Sequence, residues 1–339
     1  MSPLSRHRYP NWPAALILGG VAALVFGLHL VQARIGAFEG TRLTSDSGQA
    51  GFSIGGNAYP RVATDAGGYS VTIARPAHRV VTHYWSVDEF VYSIAPPQHV
   101  IAVSSSAYLR SMSNVYPLAE RFQPAIAENA ETIVRLDPDL VLDGGEGNVD
   151  FSQILRNAGL PVFRVFTAFT SLDEVSKTIL LTGYLTGHEA EANQLHREFE
   201  ETVRKTAARK PEGTPAPRVL GFSGHYSYGD RTLFHDIIKT VGGVNVGAEH
   251  GLHGYDSIST EQVLRWDPEW IVAGCAKGKA SETLKRFMDD PAIRLTSAAR
   301  NGQILVLENH VFLPMSPFTM LLLNALSESF YPASANTEV

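Results

Sequence analysis

A twelve-residue pattern is written twice in this 339-residue chain, and that repeat limits the fold more than any other feature. The stretch from Glu131 to Leu142 (ETIVRLDPDLVL) is echoed from Glu261 to Val272 (EQVLRWDPEWIV). Each copy reads as a short helix, an Asp-Pro stop and an apolar strand. Proline lacks an amide hydrogen and its ring clashes with the preceding turn, so Pro138 and Pro268 mark the same helix end twice. Asn129 and Ser259 stand two positions ahead of Glu131 and Glu261, where a short polar side chain can cap the helix. Both glutamates then fall in a first helical turn, exposed. A unit written twice in this way predicts two lobes of similar architecture, each carrying one such glutamate.

Around the repeat, short β-branched runs alternate with helical stretches. They are Val80–Thr82, Val100–Val103, Leu140–Leu142 and Val162–Phe166, then, after a long helical interval, Val219–Phe222, Trp270–Ala273 and Ile304–Leu307. Strands alternating with helices bury both faces of a parallel sheet, which is the α/β class. Split by that interval, the strands fit two sheets better than one. The expected fold is two Rossmann-like lobes with a cleft between them. Val62–Thr64 and Tyr69–Ile73 flank Asp65-Ala66-Gly67-Gly68 and predict a leading hairpin. Within the interval, Ser171-Leu172-Asp173-Glu174 has the spacing of a capping box. A second helix from Glu189 to Arg209 carries Leu195, Phe199, Val203 and Thr206 on one stripe. Its length of about 31 Å suits a rigid spine joining the lobes. The expected boundaries are 59–170 for the first lobe, 171–210 for the helical segment, 211–333 for the second lobe and 334–339 for a tail.

Residues 1–33 stand apart. Arg6 and Arg8 precede an apolar run from Ala14 to Leu28, no acidic residue occurs before Glu39, and Val31-Gln32-Ala33 places small residues around a cleavage position. This is the pattern of a secretory signal peptide. An uncleaved membrane anchor is the competing reading, weakened by His29 and two adjacent glycines. Residues 34–58, rich in Gly, Ser and Thr, read as a flexible tether. Inside it, Gly51-Phe52-Ser53-Ile54-Gly55 spells a hydrolase nucleophile turn, but that turn needs a preceding strand and none is expected.

Hydrophobic residues at 44%, with Lys+Arg 28 against Asp+Glu 34, exclude a disordered polyelectrolyte. A net charge of -6 also argues against nucleic acid as partner, because phosphates demand a cationic surface. The single cysteine, Cys275, rules out an intrachain disulfide or a cysteine-built metal centre. Enzyme spellings fail as well. Asp150 stands where a third glycine would complete Gly145-Glu146-Gly147, and Gly278-Lys279 is followed by Ala280 instead of Ser or Thr. No catalytic residue and no intrinsic cofactor are expected; an exported two-lobe enzyme is the alternative from another class.

The order of these features resembles the periplasmic substrate-binding proteins of ABC importers, in the class whose lobes are joined by one long helix. The resemblance runs from Tyr59 to about Pro332. It is carried by Tyr59-Pro60 through Gly67 ahead of Arg79-Val80-Val81, by Asn129-Ala130-Glu131 through Val141, and by Leu181-Thr182-Gly183 with Leu185-Thr186-Gly187. Val241-Gly242-Gly243-Val244-Asn245, Ile258-Ser259-Thr260-Glu261 and Arg300-Asn301-Gly302-Gln303-Ile304 continue it. The resemblance implies an exported, periplasmic, monomeric carrier. Its cargo would be a metal chelate, an iron chelate (ferric siderophore or haem) first and cobalamin as the alternative. Its partners would be a permease dimer and the attached ATPase subunits. Glu131 and Glu261 match the family's paired glutamates, which dock on permease arginines. His83-Tyr84-Trp85 departs from the usual Ser/Pro-rich turn after the first strand.

In open α/β sheets, ligands bind beyond the carboxyl ends of the strands. The residues that follow the strands are therefore the candidates: Tyr84, Trp85, Tyr108, Arg110 and Phe169 from the first lobe, with His225, Tyr226, Tyr228, Arg231, Tyr255, Lys277 and His310 from the second. Aromatic faces suit a large, flat or partly apolar ligand, while Arg110, Arg231 and Lys277 can pair with acidic groups on it. Each aromatic has an ordinary alternative, since a ring at a strand end also serves the core. Glu249, His250 and His253 do not by themselves fix a metal; haem would need only one axial His or Tyr.

Overall fold

The computed structural model describes residues 52–122, 125–126, 129–145 and 149–332. The leader, most of the tether and the expected tail lie outside the described residues. The predicted hairpin is present as β2 (Arg61–Thr64) and β3 (Ser70–Ile73), antiparallel around a turn in which Asp65 Oδ1 accepts from the amides of Gly67 (2.9 Å) and Tyr69 (3.1 Å). A short strand, β1 (Ser53–Ile54), pairs antiparallel with β2. The last part of the expected tether is thus sheet, because the free edge of β2 offers backbone groups that an extended segment satisfies. Ser53 lies within that strand.

The first lobe is a five-stranded parallel sheet of β4 (Val80–Thr82), β5 (Val100–Ser104), β6 (Ala125–Ile126), β7 (Leu140–Asp143) and β8 (Val162–Arg164), in the order β6-β5-β4-β7-β8. Every residue of β4 and β7 is buried, as expected of strands covered on both faces. The second lobe repeats the plan with β9 (Arg218–Ser223), β11 (Val244–Asn245), β13 (Trp270–Cys275) and β14 (Ile304–Glu308), all parallel. It also has an addition. After Ser223 the chain reverses through Gly224, whose φ of 73° is in the left-handed region, and β10 (Tyr226–Tyr228) runs back antiparallel along β9. β12 (Tyr255–Ser257) then pairs with β10. Within the post-strand loop expected at residues 225–228, Tyr226–Tyr228 is a strand instead and His225 sits in the turn before it.

The duplication reaches further than the twelve repeated residues. Helix Ala130–Arg135 is capped by the Asn129 side chain, which accepts from the Thr132 amide at 3.0 Å. Helix Thr260–Trp266 is capped by a full capping box between Ser259 and Gln262. Both helices end on an aspartate in the left-handed region, Asp137 at φ 46° and Asp267 at φ 40°. Each end is braced by an arginine at the start of a neighbouring strand, Arg79 just before β4 and Arg218 opening β9. Arg79 donates to the carbonyls of Leu136 (2.5 Å) and Asp137 (3.0 Å), and Arg218 to those of Trp266 (3.1 Å) and Asp267 (3.0 Å). Asp139 and Glu269 return the contact by accepting from the backbone amides of Arg79 (2.9 Å) and Arg218 (2.9 Å). These braces fill the carbonyls that a helix terminus leaves unpaired.

Two antiparallel helices, Leu172–Thr186 and Glu189–Ala207, separate the lobes in sequence. The spine is the first of them, not the expected 189–209 helix. Leu172, Val175 and Ile179 are buried in a cluster with Phe199, Val272 and Leu322 of the second half, whereas Leu181, Tyr184 and Leu185 are buried with Val80, Val103 and Leu140 of the first. The 189–207 helix returns along it, and its stripe residues Leu195, Phe199 and Val203 pack into the second cluster alone. Gly187, at φ 78°, ends the first helix. Gly183 lets the two helices touch, since a Cβ there would lie 2.3 Å from Ala192 Cβ. Among the described residues, no helix is long and apolar enough to cross a membrane.

Candidate functional site

The carboxyl ends of the first-lobe strands hold a buried polar network. Asp143, at the end of β7, is inaccessible to solvent and accepts from the Gly144 amide (2.9 Å), the Ser152 hydroxyl and His83 Nδ1 (3.2 Å). With the carboxylate as acceptor, His83 carries its proton on Nδ1. One turn away, the inaccessible Asp88 accepts from the hydroxyls of Thr82 and Ser104, each at 2.5 Å, and from the Ser104 amide at 3.2 Å. Burial still pushes its carboxyl up to about 6, against the pull of those donors. The Tyr84 ring lies close against the backbone of Gly144 and Gly145. A Cβ at Gly145 would come within 2.6 Å of its ring, so only glycine fits there.

Glu89 joins the two halves. Its carboxylate accepts from the Asn114 amide (2.7 Å), Asn114 Nδ2 (3.0 Å) and the Ser316 hydroxyl (2.5 Å). Asn114 Nδ2 also donates to the carbonyl of His310 at 2.9 Å. Desolvation pushes Glu89 up to about 7, with the neighbouring Asp88 adding to the rise. At this point the loop after β5 meets the segment after β14, so strand ends of both lobes come together.

The expected ligand residues divide into three groups. Trp85, Phe169 and Tyr228 are core residues, 7%, 2% and 6% exposed. Phe169 packs edge-on to Phe90 (5.9 Å), and Tyr228 packs against Phe234 and Phe312 with its hydroxyl on Ser223 Oγ at 2.9 Å. These three correct the expectation of an open lining, because their rings are buried in the interior. Tyr84, Tyr108, Tyr226, Tyr255 and His310 are half-buried. Tyr255 packs edge-on to Tyr228 at 5.4 Å, while the Tyr108 hydroxyl is buried without a partner. His310 Nδ1 stands 3.3 Å from Glu308 Oε2, whose other oxygen accepts from the Gly278 amide. Arg110, His225, Arg231 and Lys277 are exposed. Arg110 stacks on Tyr116 and stands 3.6 Å from Glu120, and Arg231 stands 3.7 Å from Asp230, so each cation has an acid beside it.

Glu131 and Glu261 are both exposed in first helical turns. Glu131 pairs with Arg135 at 3.2 Å. The Glu261 backbone amide, and then the Ser259 hydroxyl, hold the Glu261 carboxyl below its ordinary range. Among the described residues, no three His, Cys, Asp or Glu side chains gather to hold a metal ion. Glu249 pairs with Arg218 (2.8 Å), His250 stacks on Trp266 (4.8 Å) and His253 bonds Asp230 (2.7 Å), so these neighbours in sequence serve three separate contacts. Arg164, Thr167, Asn114 and Glu89 escaped sequence reasoning. The only cue was position, since Arg164 and Thr167 lie at the end of the Val162–Phe166 run.

Two similar α/β lobes, a helix shared by both cores, and polar and aromatic side chains gathered at strand ends define a bilobal solute-binding protein. Residues 80–311 match the periplasmic binding protein family, and the chain belongs to it. It is 28% identical over 262 residues to the cobalamin-binding protein of Halobacterium salinarum, a match covering 76% of this chain and 70% of that one. The fold is shared with a periplasmic heme-binding protein from a Roseiflexus species, at a TM-score of 0.64 and 23% identity over 75% of this chain and 98% of that chain. It is shared too with a periplasmic binding protein from Veillonella parvula, at a TM-score of 0.69 and 12% identity over 84% of this chain and 99% of that chain.

Proposed function

We propose that this protein is the solute-binding component of an ABC importer that captures an iron chelate, a ferric siderophore or haem, between its lobes and hands it to a membrane permease. Residues 1–33 direct its export. The observation that carries this reading is the paired form of the repeat: two capped helices, one per lobe, each presenting an exposed glutamate in its first turn. Half-buried Tyr84, Tyr108, Tyr226 and Tyr255 offer ring faces to a flat or partly apolar cargo, and His225, Arg231 and Lys277 offer polar groups around it. Glu131 and Glu261 are the docking groups, exposed acids that meet cationic side chains on the permease. Cobalamin is the second reading, favoured by the similarity to the cobalamin-binding protein of Halobacterium salinarum.

Charge reversal tests the docking. The variant carrying Glu131→Lys and Glu261→Lys should bind cargo as the parent does and lose uptake in cells; undiminished uptake refutes the assignment. Absorption spectra of the protein isolated from its native envelope separate the cargoes, since a Soret band, a corrin spectrum and a siderophore charge-transfer band differ plainly. A colourless protein that quenches with none of hemin, a ferric hydroxamate or cyanocobalamin would refute the cargo class.

A further inference from the structure

At the outer edge of the first lobe, where β7 and β8 end, a cavity of about 190 Å³ is lined by Ala66, Gly67, Gly145, Arg164, Phe166 and Thr167. It opens at the same end of the sheet as Tyr84, whose ring lies against Gly145. The polar side chains in its lining are Arg164 and Thr167. Arg164 Nη2 donates to the Gly145 carbonyl at 2.5 Å, while its Nε is buried without a partner, 4.0 Å from Asp143 Oδ2. Asp143 Oδ2 accepts from the Ser152 hydroxyl and stands at ion-pair distance from Arg164 without a hydrogen bond to it. No described acceptor engages Arg164 Nη1. Thr167, 3% exposed, accepts from the Gly145 amide at 3.1 Å, so its hydroxyl hydrogen remains unspent. Phe166, 37% exposed, adds an apolar flank.

Asp65, behind the turn that forms the far wall, does not compete for an acceptor's place. Its oxygens take the amides of Gly67, Tyr69 and Arg164 and the Arg156 guanidinium at 2.5 Å. What the cavity lacks is an acceptor with two oxygens. A carboxylate fits that demand, since a guanidinium edge and a hydroxyl both donate to it and the charged bond is the stronger kind. A carboxamide of the same size offers these two side chains one oxygen where a carboxylate offers two, and no charge. We infer that this cavity is a subsite for a carboxylate arm of the cargo. The inference rests on the proposed function for what carries the arm, and it favours acid-bearing chelates over the amide-fringed corrin ring.

The subsite is tested without knowing the cargo, by titrating the ¹⁵N-labelled full-length protein with propionate and with its neutral isostere propionamide. Propionate should produce saturable shifts at the Gly145 and Thr167 amides and at Arg164 Nε–H, with a dissociation constant in the range of about 1–30 mM expected of so small a ligand. Propionamide should produce none. Arg164→Gln should weaken propionate about tenfold, the loss of one charge-assisted hydrogen bond, and Thr167→Val should weaken it less. Equal shifts with propionamide, no saturation with propionate, or undiminished binding in Arg164→Gln would each overturn the subsite. Should Arg164→Gln fail to fold, the acid and amide comparison on the parent protein still decides. A second arm compares hemin with its dimethyl ester. Weaker binding of the ester supports the subsite, and equal affinity overturns it. If propionate binds as described while hemin, ferric hydroxamate and cyanocobalamin all fail to bind, the proposed cargo is wrong and the subsite stands.

Discussion

Glu89 shows how far a single side chain departs from what its neighbours in sequence suggest. Asp88 and Glu89 are adjacent acids in the helix Trp85–Tyr92, and an amphipathic helix would turn at least one of them to water. Every residue of this helix is buried, because Phe90 reaches the second core while Val87 and Val91 fill the first. No local pattern announces that; it follows from the lobes meeting there. A carboxyl whose folded pKa is raised from 4.5 to about 7 binds a proton more tightly folded than unfolded. Its contribution is fully present below about pH 4.5 and is lost as pH climbs through 7, a difference on the order of 3 kcal/mol. Glu89→Gln keeps an acceptor for Asn114 and removes the ionisation. The melting temperature of the variant minus that of the parent should therefore rise between pH 5 and pH 8, by roughly 5–10 °C. A difference that stays flat across that range would show that Glu89 does not titrate as its burial requires.

At the scale of elements, the sequence pattern was informative wherever burial imposed a simple period. The apolar runs of β4, β7, β9 and β13 and the capped repeat helices were all legible. The spine was not. The 189–207 helix has the cleaner stripe because one side faces water, whereas Leu172–Thr186 is covered from several sides and shows no single apolar face. Similarly, the β9–β10 reversal depends on one glycine in a left-handed conformation, and that reversal takes Tyr228 from an expected lining into the core. The braces from Arg79 and Arg218 were hidden because the two copies are spaced differently from their shared Asp-Pro turns. The contact between the paired helices is open to test. Gly183→Ala should cost about 1–3 kcal/mol by forcing the helices apart, less the modest gain of alanine over glycine within a helix. Ala192→Gly in the same chain should recover part of the loss in urea unfolding. Additive losses in the double variant would place the crowding elsewhere.

For the molecule as a whole, three contacts limit how the lobes can move: Asn114 to His310, Ser316 to Glu89, and the Leu172 amide to Asp236 at 2.8 Å. A clamp held in this way closes by a small rocking motion. X-ray scattering with and without whichever of hemin or cyanocobalamin binds should show the radius of gyration changing by under about 5% of the ~19 Å expected for a folded chain of this size. A larger compaction would mean that the three contacts break on loading. How the lobes meet was beyond the reach of the sequence, because Asn114, His310 and Ser316 are scattered along the chain and only the completed fold makes them neighbours.

The shared helix also decides how the protein comes apart. Neither half owns a complete interior: losing Leu172–Thr186 would strip apolar area from both at once, so neither can melt and leave the other intact. Despite its two-part plan, the described body should give one calorimetric peak with matching van't Hoff and measured enthalpies. The amides of that helix should be among the slowest to exchange with deuterium, because they are released only when everything is.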